Sequence, residues 1–506
     1  MDSSARNAFK PDMSPLMRFS PFLALQLDVE DRRRMQVSES RKKELYKRMS
    51  DSTKPKEMAI FGRPLWYAYE NAGDMYGVAR LKLLGGEQFS TFDHNNKDHV
   101  FAALSFRLAL DVCLQNPSSV SLTRAAVNSF MRVVISMDQD TGMMDTLTPS
   151  EPVLAKAAME HLCYEANWTN SIRTLTQKLL EPGLIEKGHK GELYARLVLI
   201  LAHDWVRWAR HFQPKNSESV PKSAPEFQPT FTVLDFLTSL YGEDHRKHIQ
   251  EIPEQILNAT MNFTHFVPGY EALTPKVIPA LCHDLLRRSA AMQLSFQQEV
   301  LLPIYYGKEK EDFNPSECGV ILLRIKNRNK ATTLEEIFKE NFTKVSPKGP
   351  QNPHIWEPAK SIRNQAEFAF KQMANPILVL LFDLGVIRSD RATSSLVQVS
   401  HSEIPPDLWA IHSRGHDEAV FGCLKDMDTT KASRQFFVCM PKGESLADEL
   451  ARRNRIFDKM ERSYRYLGFD SKQEGKMEAG DGRAQEDDGK AQEGDLKTLP
   501  FREPGR

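Results

Sequence analysis

Cysteine is scarce in this sequence, and its spacing suggests no structural or metal-binding use. Six cysteines are spread over 506 residues, and no two of them form a C-x-x-C pair. This scatter argues against a disulfide framework and against a cysteine-rich zinc site, and it is typical of free thiols in a reducing compartment.

Long apolar runs are also missing. The longest candidates, LVLILA and ILVLLF, are far shorter than the roughly 18 residues that a membrane-spanning helix needs. The first residues, MDSSARNAFKPDMSPLMRF, lack the apolar core of a signal peptide. We therefore predict a cytoplasmic or nuclear protein with no membrane partner.

Neither sign of charge is in excess. The 67 Lys and Arg residues balance the 67 Asp and Glu residues, so no global field draws the chain to nucleic acid or to an anionic membrane. Any phosphate binding has to come from a local patch. The sequence also contains no G-x-x-x-x-G-K-[ST] run, which argues against a P-loop nucleotide site.

Composition and hydrophobic periodicity indicate four regions along the chain. They are a charged helical arm (1–60), a helical domain (61–183), an α/β domain with inserted helices and a loop (184–468), and a polar, disordered tail (469–506). Within the helical domain, the run SLTRAAVNSFMRVVISMD predicts one helix, and TPSEPVLAKAAMEHL predicts another with Ser150 as its N-cap. A long helix begins near Glu192 and is apolar on nearly every side, which indicates a central position.

The pattern changes from helix to strand in the last third of the chain. Short apolar runs at 299–307, 319–327 and 376–385 are typical of buried strands, and 408–415 and 435–440 add two more. One helix, SIRNQAEFAFKQM, separates the second and third strands; PKVIPALCHDLLRRSAAM predicts another helix before the first. Strands with a helical crossover imply an α/β fold. We predict a mixed or mostly parallel sheet of four or five strands over 299–440, with 376–385 at its centre because it is apolar on both faces.

The stretch CGVILLRIKNRN ends an apolar strand in a series of cations, which include Arg324, Lys326 and Arg328. A hairpin between the first two strands brings Lys326 back beside Glu299, and Glu192 lies on the preceding helix. Two carboxylates and an ammonium group at a sheet edge are suited to bind Mg²⁺ through oxygen ligands and to activate water against a phosphodiester. The alternative is structural: Glu299 and Lys326 are then solvent-facing residues at strand ends.

Other polar pairs favour structural roles. His203 and Asp204 are adjacent on the long helix. A capped or salt-bridged surface is more common there than a catalytic pair. Trp205 and Trp208, flanked by Arg207 and Arg210, are suited to stack on bases, but aromatic packing against a neighbouring helix is the commoner use.

Three segments in this order, KGELYARLVLILAHD, EVLLPIYYG and GVILLRIKNRN, resemble the PD-(D/E)XK restriction-endonuclease-like core, in the form found in crinkler-type proteins of fungi. Upstream, the segments FGRPLWYAY, ARLKLLGG and SEPVLAKAAMEHL resemble the helical part that precedes this core, so the resemblance covers about residues 60–440. The resemblance implies a Glu on the first helix, an Asp that opens a strand, and a Q-x-K or E-x-K tripeptide that closes the next strand. These positions correspond to Glu192, Glu299 and Lys326.

Two departures from the family pattern affect the expected chemistry. The Asp position holds Glu299, which is one methylene longer, and the Gln or Glu of the tripeptide is Arg324. A cation at that position repels a metal ion and is suited to bidentate phosphate contact. We therefore expect an α/β, restriction-endonuclease-like mixed sheet with a large helical N-terminal part. Glu192, Glu299 and Lys326 are the candidate catalytic residues, Glu192 and Glu299 the Mg²⁺ ligands, and Arg324 and Arg328 the phosphate contacts.

The expected partner is nucleic acid, DNA ahead of RNA, and a protein partner is the second candidate. In the first case the chain binds phosphodiesters and hydrolyses them with Mg²⁺ at a partly degenerate site. In the second it is a catalytically inactive interaction module that keeps the nuclease-like fold.

Overall fold

The structure is a computed structural model. It describes residues 49, 54–59, 61–62, 65–66, 69, 74–86, 91–113, 116–137, 144–163, 165–185, 191–208, 230–268, 277–293, 300–326, 375–384, 396–402 and 408–425. The chain divides into a unit of residues 1–460 and a second unit of 461–506, and every described residue belongs to the first. The predicted tail, the helix over 361–373 and the strand over 435–440 lie outside the described residues.

Helices dominate the described residues up to Arg287. They are α1 (Pro55–Met58), α2 (Met75–Leu83), α3 (Lys97–Leu108), α4 (Ser119–Ser129), α5 (Pro152–Leu162), α6 (Glu165–Thr174, continued by a π-helical turn Leu175–Leu180), α7 (Glu192–Trp208), α8 (Val233–Tyr241), α9 (Arg246–Ile249), α10 (Glu254–Leu257) and α11 (Val277–Arg287). None of the described helices combines the length and the apolar character that crossing a bilayer requires.

The strands form a small hairpin and one large mixed sheet. They are β1 (Val133–Met137), β2 (Met144–Leu147), β3 (Phe231–Thr232), β4 (Thr260–Met261), β5 (His265–Pro268), β6 (Ala290–Gln293), β7 (Val300–Tyr305), β8 (Cys318–Lys326), β9 (Ile377–Asp383), β10 (Leu396–Ser402) and β11 (Leu408–Arg414). In the large sheet the order is β10-β11-β9-β8-β7-β4-β3, and β6 pairs with both β5 and β7. Strands β8, β9 and β11 run parallel to one another, whereas β7 is antiparallel to β8.

The sequence prediction of a mixed sheet behind a helical N-terminal part is therefore confirmed. The predicted strand over 376–385 is β9, which has two strands on either side among β7 to β11. Every residue of β9 is buried, as expected for a strand covered on both faces.

Two apolar clusters cover the two faces of the sheet. Residues of α7 pack against the first face, to which β8 contributes Ile321, Leu323 and Ile325. Helix α11 packs against the second face, to which β8 contributes Val320 and Leu322. Successive side chains of a strand point to opposite faces. The clusters that contain a strand's apolar residues therefore also show to which face each of its polar residues points.

Three expectations about local structure were wrong. The helix predicted through SLTRAAVNSFMRVVISMD ends at Ser129 and is followed by β1, and the helix predicted to Met292 ends at Arg287 and is followed by β6. The chain reverses at Met131 (φ 62°) and Ser289 (φ 49°), both non-glycine residues in the left-handed region. At α5 the N-cap is Glu151, and the Ser150 hydroxyl instead lies 3.0 Å from His265 Nε2.

Candidate nucleic-acid interface

Helix α7 begins directly against the ends of two central strands. Gly191, the residue before the helix, has a φ of +108°, and a Cβ atom there would lie 2.9 Å from Ile325 Cγ2 and 2.9 Å from Leu384 Cδ1. Only glycine combines this backbone conformation with such a close approach. The contact places Glu192, the first residue of α7, beside the carboxyl ends of β8 and β9.

Glu192 is held in place by a glutamine from the sheet. Gln293, the last residue of β6, donates from Nε2 to Glu192 Oε2 at 3.1 Å. Its Oε1 accepts from Arg196 Nη1, one helical turn after Glu192. Glu192 is 8% exposed and Arg196 is 6% exposed. The bridge fixes the Glu192 carboxylate on the face of the sheet that α7 covers.

The parallel strands end in a row of charged residues. In the strand register, Lys326 on β8 is the partner of Asp383 on β9, and Asp383 is the partner of Arg414 on β11. A buried carboxylate, 1% exposed, therefore occupies the position between two cationic residues. In open sheets of parallel strands, ligands bind beside the carboxyl ends.

Asp383 was missed by sequence reasoning. The only local signal is an acidic residue directly after the apolar run ILVLLF. The structure adds two neighbours: Asp383 Oδ2 lies 4.0 Å from His412 Nε2 and 4.0 Å from Arg414 Nε. Burial, followed by the charge of Arg414, lowers the pKa of His412 to about 4, so this imidazole is neutral at pH 7.

Arg324 lies on the same face of the sheet as this charged row. Its neighbours Leu323 and Ile325 belong to the cluster under α7, so alternation directs Arg324 to the opposite face, with Leu322. It is only 5% exposed. Glu192 and Arg324 thus approach the end of β8 from opposite faces of the sheet.

The predicted meeting of Glu192, Glu299 and Lys326 stays a prediction. Glu299 and Arg328 lie outside the described residues, and Lys326 is described by its backbone position at the end of β8. Strand β7 starts at Val300, whose register partner is Leu323. The two motif-bearing strands are therefore antiparallel neighbours, as the sequence predicts.

The described residues do not by themselves fit a magnesium ion. Within the described ranges, no three His, Cys, Asp or Glu side chains gather closely enough to hold a metal. Glu192 and Asp383 lie on different faces, and Asp383 has nitrogen neighbours at 4.0 Å. Mg²⁺ binding at Glu192 and Glu299 accordingly remains a prediction that depends on Glu299.

The His203–Asp204 pair is structural, but the expectation of a surface pair was wrong. Both residues are buried, at 0% and 1% exposure. Asp204 accepts two hydrogen bonds from Arg107 of α3, at 2.6 and 3.1 Å, and one from Trp168 Nε1 at 3.1 Å. His203 Nδ1 lies 2.7 Å from Asp204 Oδ1. The pair therefore ties α7 to the helical part of the chain.

Trp205 also takes the packing role. It is partly buried against the cluster under α7, and its Nε1 donates to the Cys423 carbonyl at 2.8 Å. A tryptophan held in this way has its polar group engaged inside the protein.

Comparison with known proteins gives one match. Residues 90–333 match a family described as a domain of unknown function, DUF8736. The matched range contains Glu192, Glu299, Arg324, Lys326 and Arg328, and it ends before Asp383 and Arg414. Searches of curated proteins and of solved structures returned no match.

Proposed function

We propose that this chain is a nucleic-acid-binding protein of restriction-endonuclease-like architecture whose hydrolytic site is partly degenerate. The observation that carries the proposal is the row of Lys326, Asp383 and Arg414 across the carboxyl ends of three parallel strands. The row contains two basic residues and one acidic residue, so its formal charge is positive on a chain whose formal net charge is zero. A local patch of this kind is what phosphate binding requires.

The order of the elements supports the same proposal. Glu192 is the first residue of a buried helix, and Lys326 is the last residue of a strand. The strand that ends at Lys326 pairs antiparallel with the strand that follows Glu299, and a third strand runs parallel to it. The helix and the first two of these strands follow one another in the order that the resemblance to the crinkler-type core implies.

Degeneracy follows from the residues around the strand ends. Arg324 occupies the position where the family pattern has Gln or Glu, and it lies on the face of the sheet opposite to Glu192. Any nuclease chemistry by this chain would use Glu192 and Glu299 to hold Mg²⁺, which activates a water, with Lys326 as the neighbouring cation. The partner we propose is DNA ahead of RNA, in the cytoplasm or nucleus.

The test is a cleavage and binding assay over a Mg²⁺ titration, with plasmid, single-stranded DNA and RNA as substrates. We expect wild type to bind nucleic acid and to cut it weakly or not at all. Arg324→Gln should raise metal-dependent cleavage because it restores a residue of the family pattern, and Lys326→Ala in that background should abolish it.

Two results separate the proposal from the interaction-module alternative. Weaker binding by Lys326→Ala, with a salt slope reduced by about 0.9, supports a nucleic-acid site at this edge. Absence of binding at low salt, with no change in Arg324→Gln, means that the fold is kept for packing and that the protein-partner alternative is correct.

A further inference from the structure

The two arginines near the strand ends, Arg324 and Arg414, differ in solvent exposure. Arg324 is 5% exposed, so its guanidinium has little surface to offer a ligand. The side chain of Arg414 is 24% exposed, and it extends from the same face and the same end of the sheet. Of these two arginines, Arg414 is therefore the one that can contact a phosphate without a rearrangement of the core.

Two buried nitrogen atoms lie near the Asp383 carboxylate. Arg414 Nε and His412 Nε2 each lie 4.0 Å from Asp383 Oδ2, which is beyond hydrogen-bond distance. Neither nitrogen has a hydrogen-bond partner among the described residues, and His412 is 2% exposed. At this distance the Arg414 guanidinium is held toward Asp383 by charge attraction and not by a direct hydrogen bond.

We propose that Arg414 contacts a phosphate of the nucleic-acid backbone and that Asp383 is the positioning residue that orients its guanidinium. This inference rests on the proposed function and adds a residue from outside the family motif. A guanidinium presents donors in a fixed fork, so an Nε edge turned toward Asp383 leaves the Nη edge for phosphate oxygens. The register places Lys326 on the other side of Asp383, so the row retains a net positive charge.

The first test compares the salt dependence of DNA binding for wild type, Arg414→Gln and Arg124→Gln. Arg124 is an exposed arginine on α4, so both variants lose one charge. Arg414→Gln should weaken binding and reduce the slope of log K against log salt by about 0.9. Arg124→Gln should match wild type. Arg414→Lys keeps the charge, so it should retain the slope and bind more weakly because the fork is lost.

The second test examines Asp383→Asn. Removal of a negative charge near a phosphate ordinarily strengthens binding. If Asp383 positions Arg414, the variant should bind more weakly than wild type despite its added positive charge, and a thermal melt should show that it is folded. If it does not fold, the comparison of wild type, Arg414→Gln and Arg414→Lys still tests the phosphate contact of Arg414.

The failures are distinguishable. If wild type binds DNA and Arg414→Gln binds equally well with an unchanged slope, this inference is overturned while the proposed function stands. Tighter binding by folded Asp383→Asn overturns the positioning role. If wild type does not bind at all, the proposed function and the inference fall together.

Discussion

Arg107 and Asp204 form a bidentate ion pair inside the protein, with side-chain exposures of 0% and 2%. The two hydrogen bonds join α3 to α7, and Arg107 Nε also donates to the Thr264 carbonyl at 2.6 Å. Burial alone would raise the pKa of the Asp204 carboxyl, but Arg107 and His203 bring it below its usual value. The pair thus keeps its charge in the core.

Removal of one partner should be strongly destabilising. Asp204→Ala leaves the Arg107 guanidinium buried without its counter-ion, and we expect the free energy of unfolding to fall by about 3–5 kcal/mol. Urea unfolding followed by circular dichroism measures this. The matched variant is Arg107→Leu with Asp204→Leu, which should recover part of the loss because the Arg107 guanidinium is no longer buried without its ion-pair partner. A loss below about 1 kcal/mol for Asp204→Ala would contradict the pairing.

Buried neutral histidines predict the acid sensitivity of the fold. Burial lowers the pKa of His161 and His203 to about 4 and that of His265 to about 3. In the unfolded chain these groups titrate near 6.5. The unfolded state therefore binds more protons between these values, so stability is fully present above about pH 6.5 and is lost as the pH falls toward 4.

This slope can be measured by urea unfolding at a series of pH values. Each such histidine contributes about 1.4 kcal/mol per pH unit in that window. We expect His161→Phe, which keeps a ring stacked near Phe92, to show a correspondingly shallower slope. A wild-type stability that is constant from pH 7 to pH 5 would be incompatible with these buried neutral rings.

The contact at Gly191 can be tested with a second glycine as control. Gly191 and Gly86 both have positive φ, at +108° and +119°, but a Cβ at Gly86 would meet nothing within 4 Å. Gly86→Ala therefore measures backbone strain alone, about 1–3 kcal/mol. Gly191→Ala should cost about 1–3 kcal/mol more, because its methyl group overpacks the space between Ile325 and Leu384. Equal losses for both variants would mean that α7 does not begin against the strand ends.

The parts of the fold that the sequence predicts are those whose residues form an uninterrupted apolar run. Strands β8 and β9 are covered on both faces, so their residues form continuous apolar runs that are visible without a structure. Strand β10, LVQVSHS, was not predicted because polar residues interrupt its apolar ones.

Element ends were mispredicted where the chain turns without glycine. Ala109, Met131 and Ser289 are the non-glycine residues with positive φ in the described part of the chain, and they follow α3, α4 and α11. Left-handed residues of this kind carry no Gly or Pro signal. The helices predicted through Met131 and Ser289 consequently ran too far.

The residues of the candidate site also divide into those that the sequence predicts and those that only the structure reveals. Glu192 and Lys326 stand in recognisable local motifs, so the sequence alone predicts them. The positions of Asp383 and Arg414 beside Lys326 are set by the strand register, which depends on pairing between strands that are distant in sequence. Their relationship to Lys326 is visible only once β8, β9 and β11 are aligned.

The salt dependence of wild-type binding to a short DNA duplex tests the central claim most directly. If Lys326, Arg328 and Arg414 contact phosphates, log K should fall linearly with log salt with a slope of about −2.7, which corresponds to three neutralised phosphates. Fluorescence anisotropy from about 50 to 200 mM salt covers the range over which such contacts weaken binding. A linear dependence near that slope is the result we predict. Absence of binding at about 50 mM salt, or affinity that does not change with salt, would contradict a phosphate-binding edge on this sheet.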